Sequence, residues 1–381
     1  MMDPIKLSQD LIRCPSITPH NAGALEIVEK HLTSLGFTCE RLDFEGIANL
    51  YAQKGAGRPR LCFGGHTDVV PVGAENLWTA SPFQGTIKDE KLWGRGAADM
   101  KCAIAAFLSA LADLKTEAPL SLLITGDEEG EALHGTQRLL PLLAERNLIP
   151  DLCLIGEPTA LKEVGDTLKI GRRGSITGQL TCFGKQGHIA YPQNTDNPIP
   201  RLLACLQDLY AYPFDEGTEM FEPTRFEATS IDVGNLATNI IPQKVEARFG
   251  IRLNTLQKAE DLCEVLKSLC QKTAGKHDLH LTIHGDAYLT EDKEKIHLVQ
   301  KAIEKVTGAL PAISTTGGTT DGRFISAYCP VIECGLLEKT MHQVDEHVSL
   351  KDIHQLKEIY LSILHDFLPD SSTSGRENLT D

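Results

Sequence analysis

Leu120-Ser121-Leu122-Leu123-Ile124-Thr125-Gly126-Asp127-Glu128-Glu129-Gly130 sets an apolar run of strand length directly against three acids. Six such residues read as a fully buried strand, and strands buried on both faces belong to sheets covered by helices. Three successive carboxylates at the end of that strand are costly unless something cationic neutralises them. The pattern recurs on either side. Residues 60–64 read as a buried strand leading to His66-Thr67-Asp68, and 152–155 as another leading to Gly156-Glu157-Pro158. An Ala/Leu-rich helix is expected over 101–114 and a second over 136–146. Strands alternating with helices predict an α/β fold with a mixed, mainly parallel sheet. In open sheets of this class ligands bind at the carboxyl ends of the strands.

Asp99-Met100-Lys101 and Met341-His342 complete a set of five motifs, all expected to end strands of one sheet. Two histidines and several carboxylates suit zinc or a similar borderline divalent ion. A two-metal site implies water made nucleophilic and aimed at a polarised carbonyl or phosphoryl group. Each motif alone has a plainer reading. His-Thr-Asp and Gly-Glu-Pro are ordinary turns, and Asp127-Glu128-Glu129 is acceptable as a solvated helix start. Their convergence favours the metal reading. His31, His277, His297, His354 and His365 lie among polar neighbours and read as surface residues, while His134 and His347 read as structural.

Composition excludes some classes. The chain of 381 residues has 52 acidic against 37 basic side chains, a formal charge of −15, which argues against nucleic acid as a partner. No apolar stretch is long enough to cross a bilayer, and the N-terminus lacks the basic and apolar regions of a secretory signal. Eleven cysteines lie scattered in apolar segments without a C-x-x-C pair, so reduced core thiols are expected. The sum of these readings is a cytoplasmic enzyme.

From about Ile176 the texture changes. Val245, Ala247, Phe249, Ile251 and Leu253 alternate with polar residues or glycine, the period of a half-buried antiparallel strand. Strands near 175–183, 226–233 and 279–284 and helices near 200–210 and 257–271 complete a small α+β domain. The expected division is a catalytic domain over 1–175 and 287–368, interrupted by an inserted domain over 176–286. Thr290 is expected to open a helix, 330–334 to form a strand, and Ser349-Leu350-Lys351-Asp352 to cap the last helix. The tail 369–381 reads as disordered.

At this point the motifs carry a family resemblance over essentially the whole chain to about Leu368. Gly65-His66-Thr67-Asp68-Val69-Val70-Pro71, Gly94-Arg95-Gly96-Ala97-Ala98-Asp99-Met100-Lys101, Thr125-Gly126-Asp127-Glu128-Glu129-Gly130 and Gly156-Glu157-Pro158 are together highly specific. The chain resembles the co-catalytic zinc hydrolases that include acetylornithine deacetylase, carboxypeptidase G and aminoacylase, and within them it is most similar to the desuccinylase branch. The resemblance implies two zinc ions per subunit, with cobalt or manganese as possible substitutes. His66, Asp99 and Glu157 would hold one, and Asp99, Glu129 and His342 the other, so that Asp99 bridges. It further implies Asp68 orienting the His66 imidazole, a cis peptide after Asp99, and Glu128 as general base.

The branch resembled implies hydrolysis of N-succinyl-L,L-diaminopimelate, within lysine and diaminopimelate biosynthesis. This substrate carries three carboxylates and one ammonium. Arg172, Ser175, Arg252 and the backbone donors of Gly318 and Thr319 would suit it, because guanidinium groups grip carboxylates bidentately. Arg172 and Arg173 also read as a surface hinge, and Arg252 as an exposed residue on a polar face. His188, with Asn239 nearby, would stabilise the oxyanion in the active site of a partner subunit. The implied assembly is a homodimer joined through the inserted domains, with domain closure on substrate. Acetylornithine deacetylase or a related N-acyl amino acid amidohydrolase is the nearest alternative, and a non-catalytic metal-dependent binding protein on the same scaffold the alternative from another class.

Overall fold

The apolar run 120–125 forms a strand, Leu120–Thr125, in which every residue is buried. A computed structural model describes residues 2–114 and 118–368. Leu120–Thr125 pairs in parallel with Leu61–His66, which pairs in parallel with Leu152–Ile155. The order continues through Val331–Glu333, Thr167–Lys169 and Ala312–Ser314, and on the other side Asn49–Lys54 and Thr38–Arg41 are added antiparallel. This eight-stranded sheet is mixed, with a parallel centre. Register fixes the functional edge: His66 pairs with Thr125, and Gly64 with Ile155. The chain therefore leaves three adjacent parallel strands at one edge, carrying His66, the 127–129 acids and Glu157.

One of two compact units contains this sheet. It comprises the residues up to Gly171, Thr290–Ser314, and the residues from Thr320 onward. Its core rests on a ring cluster. Phe63 stacks on Phe107 with centroids 4.1 Å apart, and Tyr360 meets both rings edge-on. Phe107 lies on the helix Cys102–Asp113, whose residues from Cys102 to Leu111 are all buried. Alanines at 103, 105, 106 and 110 let this helix pack closely on both the last helix and the first, Pro4–Ile12. The last helix, Leu350–Phe367, is capped by Ser349 Oγ, which accepts the Lys351 N–H.

The other unit comprises Arg172–Leu289 with Thr315–Thr319. Its four-stranded antiparallel sheet runs in the order Arg225–Asp232, Lys244–Leu253, Gly174–Phe183, His277–Gly285. Along Lys244–Leu253, Val245, Ala247, Phe249, Ile251 and Leu253 are buried, as their alternation requires. Helices Ile199–Ala211 and Ala259–Thr273 contribute Leu202, Cys205, Leu206, Leu262, Leu266 and Cys270 to the same core. Gly178 sits under the Phe249 ring, where an added Cβ would stand 2.1 Å from its Cζ.

Two expectations need correction. Not all five motifs end strands of one sheet. Asp99 lies in an irregular turn ahead of Cys102–Asp113, after the strand Lys91–Trp93 of a separate three-stranded sheet. His342 follows a 3-10 turn at Glu338–Thr340 and is left-handed, with φ +60°. The helix expected from Thr290 spans Lys293–Thr307 and is capped by Asp292. The Thr290 hydroxyl donates instead to the Val331 carbonyl. All eleven cysteines are free, and all but the half-buried Cys39 are buried. The 369–381 tail lies outside the described residues. Among the described residues, no helix is long and apolar enough to cross a membrane.

Truncating Phe107 removes the centre of the ring cluster without touching a polar group. Phe107→Ala is expected to cost about 3–5 kcal/mol, read as a lower urea midpoint at unchanged slope. An unchanged midpoint would show that the cluster does not carry the unit.

Candidate metal centre

Two groups of side chains meet at the carboxyl edge of the large sheet. His66, Asp99 and Glu157 place one ligand atom each within 4.8 Å of one another, and so do Asp99, Glu129 and His342. Asp99 belongs to both. Its Oδ1 lies 3.1 Å from His66 Nε2, and its Oδ2 lies 3.2 Å from His342 Nε2. Glu157 Oε1 is 3.3 Å from His66 Nε2, and Glu129 Oε1 is 2.8 Å from His342 Nε2. His66, Asp99 and Glu157 are buried, whereas the His342 side chain is 42% exposed. The peptide between Asp99 and Met100 is cis, as the resemblance implies.

Local structure explains the poses. The Nδ1 of His66 lies 2.9 Å from the main-chain oxygen of Asp68, which directs Nε2 toward Asp99 and Glu157. The Asp68 carboxylate stands farther off, 3.6 Å from Nδ1. It accepts the backbone N–H groups of Glu128 and Glu129 at 3.3 and 3.0 Å. Asp68 thus joins the His66 turn to the acidic turn, a role broader than orienting one imidazole. Asp127 points away: its Oδ2 accepts the His134 N–H, closing the turn behind the centre.

Electrostatics test whether these residues fit a divalent cation. Burial alone disfavours a charged imidazole, yet hydrogen bonds to Asp99 and Glu157 hold the His66 proton well above its usual range. His342 is raised to about 10 by its bonds to Asp99 and Glu129. Burial pushes Glu157 up to about 7, with the Asp99 charge adding to it, and Asp68 up to about 6. Protonated imidazoles therefore occupy the place in the charge balance that metal ions fill when a site binds cations. The donors are imidazole nitrogen and carboxylate oxygen, a set that suits zinc. The residues fit.

Glu128 belongs to neither group. It is half-buried, and burial with the neighbouring charges of Glu157 and Asp321 raises its carboxyl well above the usual range. Asp321 was not legible as a site residue. It is buried, raised by that burial, and lies two residues beyond Thr319, whose backbone donor was the feature expected to serve the substrate. Lys101, also fully buried, donates from Nζ to the Cys14 carbonyl at 2.7 Å, and burial lowers it to about 8.

The remaining expected site residues all fall in the second unit. Ser175 Oγ accepts from Arg252 Nη1 at 2.6 Å, so these two are brought together. Arg172 is buried and donates from Nη1 to the Thr316 carbonyl, while Arg173 faces Glu222 at 3.7 Å. Gly318 is exposed with open space where a side chain would be, and Thr319 Oγ1 is shielded and has no hydrogen-bond partner. His188 and Asn239 are exposed neighbours across a two-stranded bridge, where the Ile189 N–H donates to the Asn239 carbonyl at 3.0 Å. The His188 Nδ1 accepts the Ala190 N–H at 3.0 Å.

Residues 62–366 match the model of peptidase family M20/M25/M40. Curated relatives cover nearly the full chain. The succinyl-diaminopimelate desuccinylase of Parvibaculum lavamentivorans is 47% identical over 377 residues, 96% of this chain and 95% of its own. That of Rhodospirillum centenum is 48% identical over 372 residues, 95% of this chain and 96% of its own. Among solved structures, an M20 family metallo-carboxypeptidase from Sulfolobus solfataricus superposes with a TM-score of 0.83 at 17% identity, covering 96% of this chain and 99% of its own. A dinuclear metal-binding M20 peptidase from Bacillus subtilis gives 0.65 at 14% identity, over 95% and 97%. With the ligand-type residues gathered at one sheet edge and the family model spanning most of its length, the chain belongs to peptidase family M20/M25/M40, a family of metal-dependent hydrolases.

Proposed function

We propose that this enzyme hydrolyses N-succinyl-L,L-diaminopimelate to succinate and L,L-diaminopimelate, using two zinc ions per subunit. One observation carries the reading: two ligand groups share Asp99, and an uncommitted carboxylate, Glu128, adjoins them. The relatives named desuccinylases, nearly half identical over almost all of this chain, support the choice of substrate.

His66, Asp99 and Glu157 would hold one ion, and Asp99, Glu129 and His342 the other. Such a pair supplies Lewis acidity toward the amide carbonyl and toward water. Glu128 acts as the general base, taking the proton of the attacking water and giving it to the departing amine nitrogen. Its enclosed setting suits the first task, because a carboxyl that burial raises above its usual range is a stronger base toward water than a free one. Asp68 holds Glu128 in place through the backbone N–H groups it accepts.

Arg172, Ser175 and Arg252, with Gly318 and Thr319, grip the substrate's carboxylates. The Arg252–Ser175 bond pre-sets one guanidinium, and the unpartnered Thr319 hydroxyl offers a shielded donor. His188 stabilises the oxyanion in the site of a partner subunit, with Asn239 beside it. In the neutral ring, the bond from the Ala190 N–H commits Nδ1 as acceptor, so Nε2 carries the proton and donates. The inserted unit accordingly serves for dimerisation and closure. Eleven thiols, none of them bridged, suit a reducing cytoplasm.

Amine release from N-succinyl-L,L-diaminopimelate and from N-acetylornithine, measured after chelation and again after zinc is restored, tests the substrate. Zinc-dependent cleavage of the succinyl compound alone is expected, whereas preference for acetylornithine overturns the substrate and leaves the chemistry. Glu128→Gln should lower kcat by about 10²–10⁴-fold while retaining both ions by elemental analysis. Full activity in that variant removes Glu128 from the mechanism. Mixing His188→Ala with Glu128→Gln protein should restore roughly a quarter of wild-type activity if subunits exchange at random. No recovery after verified exchange counts against a contribution in trans.

A further inference from the structure

Glu346 is a fully buried carboxylate that no step of the proposed chemistry uses. It nevertheless accepts four hydrogen bonds. Oε1 takes the backbone N–H groups of Ala98 at 2.7 Å and Asp99 at 3.2 Å. Oε2 takes the Gly96 N–H at 3.0 Å and Arg95 Nη1 at 2.8 Å. The main-chain oxygen of Glu346 accepts the Gly94 N–H at 2.9 Å. Gly96 is left-handed, with φ +83°, so that successive N–H groups converge on one point. Such a concavity of backbone donors binds anions, and here the anion is supplied from the distant 341–347 segment.

Arg95 extends the clasp. It is 2% exposed, and besides Glu346 it donates from Nη1 to the Gln343 carbonyl and from Nη2 to the Pro71 carbonyl, each at 3.2 Å. Its guanidinium also lies over the Trp78 ring. Three segments meet in one ion pair: the turn after His66, the loop that presents Asp99, and the loop that presents His342. All three lie in the first unit.

We propose that Glu346, paired with Arg95, is the positioning residue of the metal centre, fixing Asp99 in its bridging pose and holding the His342 loop in register with it. This rests on reading the two Asp99 groups as a two-metal site. Glu346 touches no ligand atom. It acts through the backbone that carries the bridging carboxylate, as outer partners of metal ligands do. A glutamine there keeps the shape but faces converging N–H donors with an amide that accepts at only one end, and it leaves Arg95 without its counter-charge.

The test uses the full-length protein, stripped of metal and titrated with zinc against a competing chelator. Wild type, Asp99→Asn, Glu346→Gln and Arg95→Lys are compared, with cobalt absorption spectra recorded on each. Glu346→Gln is expected to raise the zinc dissociation constant roughly 10–100-fold and to alter the cobalt spectrum. Its KM should be unchanged, with kcat recovering in excess zinc, which a general loss of folding does not produce. Arg95→Lys, which keeps the charge but loses the fork that spans Glu346, Gln343 and Pro71, should show a smaller change of the same kind, and it decides the matter if Glu346→Gln does not fold. Zinc binding that Asp99→Asn loses but Glu346→Gln and Arg95→Lys both keep, with wild-type cobalt spectra, overturns the positioning role alone. Wild-type protein that binds zinc no more tightly than Asp99→Asn overturns the two-metal reading, and the proposal with it.

Discussion

The structure depends on one concentration of like charge. Asp68, Asp99, Glu128, Glu129 and Glu157 gather at the carboxyl edge of a sheet whose central strands are wholly apolar. In water such a group of carboxylates would be screened and harmless. Against Leu120–Thr125 and Leu152–Ile155 it is not, because a low-dielectric wall strengthens every repulsion. Two imidazoles, His66 and His342, face these acids, and both are driven toward their charged form by them. An arrangement that holds its acids so close is built around a cation, and the rest of the first unit serves to keep it from flying apart.

That service is visible as layers of support. The register of three parallel strands sets where His66, the 127–129 turn and Glu157 emerge. Asp68 ties the first of these to the second through the Glu128 and Glu129 N–H groups. Strand register does not position Asp99 or His342, which come from irregular segments. They are tied instead by the buried Arg95–Glu346 pair and the backbone donors around it. The sheet therefore gives precision to half of the centre, and a polar clasp gives it to the other half. From its irregular turn Asp99 faces both His66 and His342, whereas a strand end presents a side chain to one place only.

Much of the site was legible because its residues follow apolar strands. The segments 120–125 and 152–155 were read with the bounds the structure has, and the acids after them were already anomalous as sequence. Asp99 and His342 were legible by resemblance but misplaced by the strand rule, since 94–101 carries glycines and a turn where a strand of the large sheet was expected. Glu346 gave no signal at all. A lone glutamate between Asp345 and His347 looks like any solvated loop acid until its four donors are brought from residues some 250 positions away in sequence. The helix expected from Thr290 forms but starts later for a related reason: the Thr290 hydroxyl donates to the Val331 carbonyl, and Asp292 takes the cap.

By itself the sequence determined the α/β class, the alternation in the inserted segment, the reduced state expected of its cysteines, and the types of side chain available for metal. These follow from local period and composition, which need no knowledge of what packs against what. Tertiary structure alone decided that Asp99 serves two imidazoles at once, that the Asp68 carboxylate grips a neighbouring turn, and that a buried arginine and glutamate join three loops. Such features arise from pairings between distant segments, and one sequence does not encode them in any local pattern.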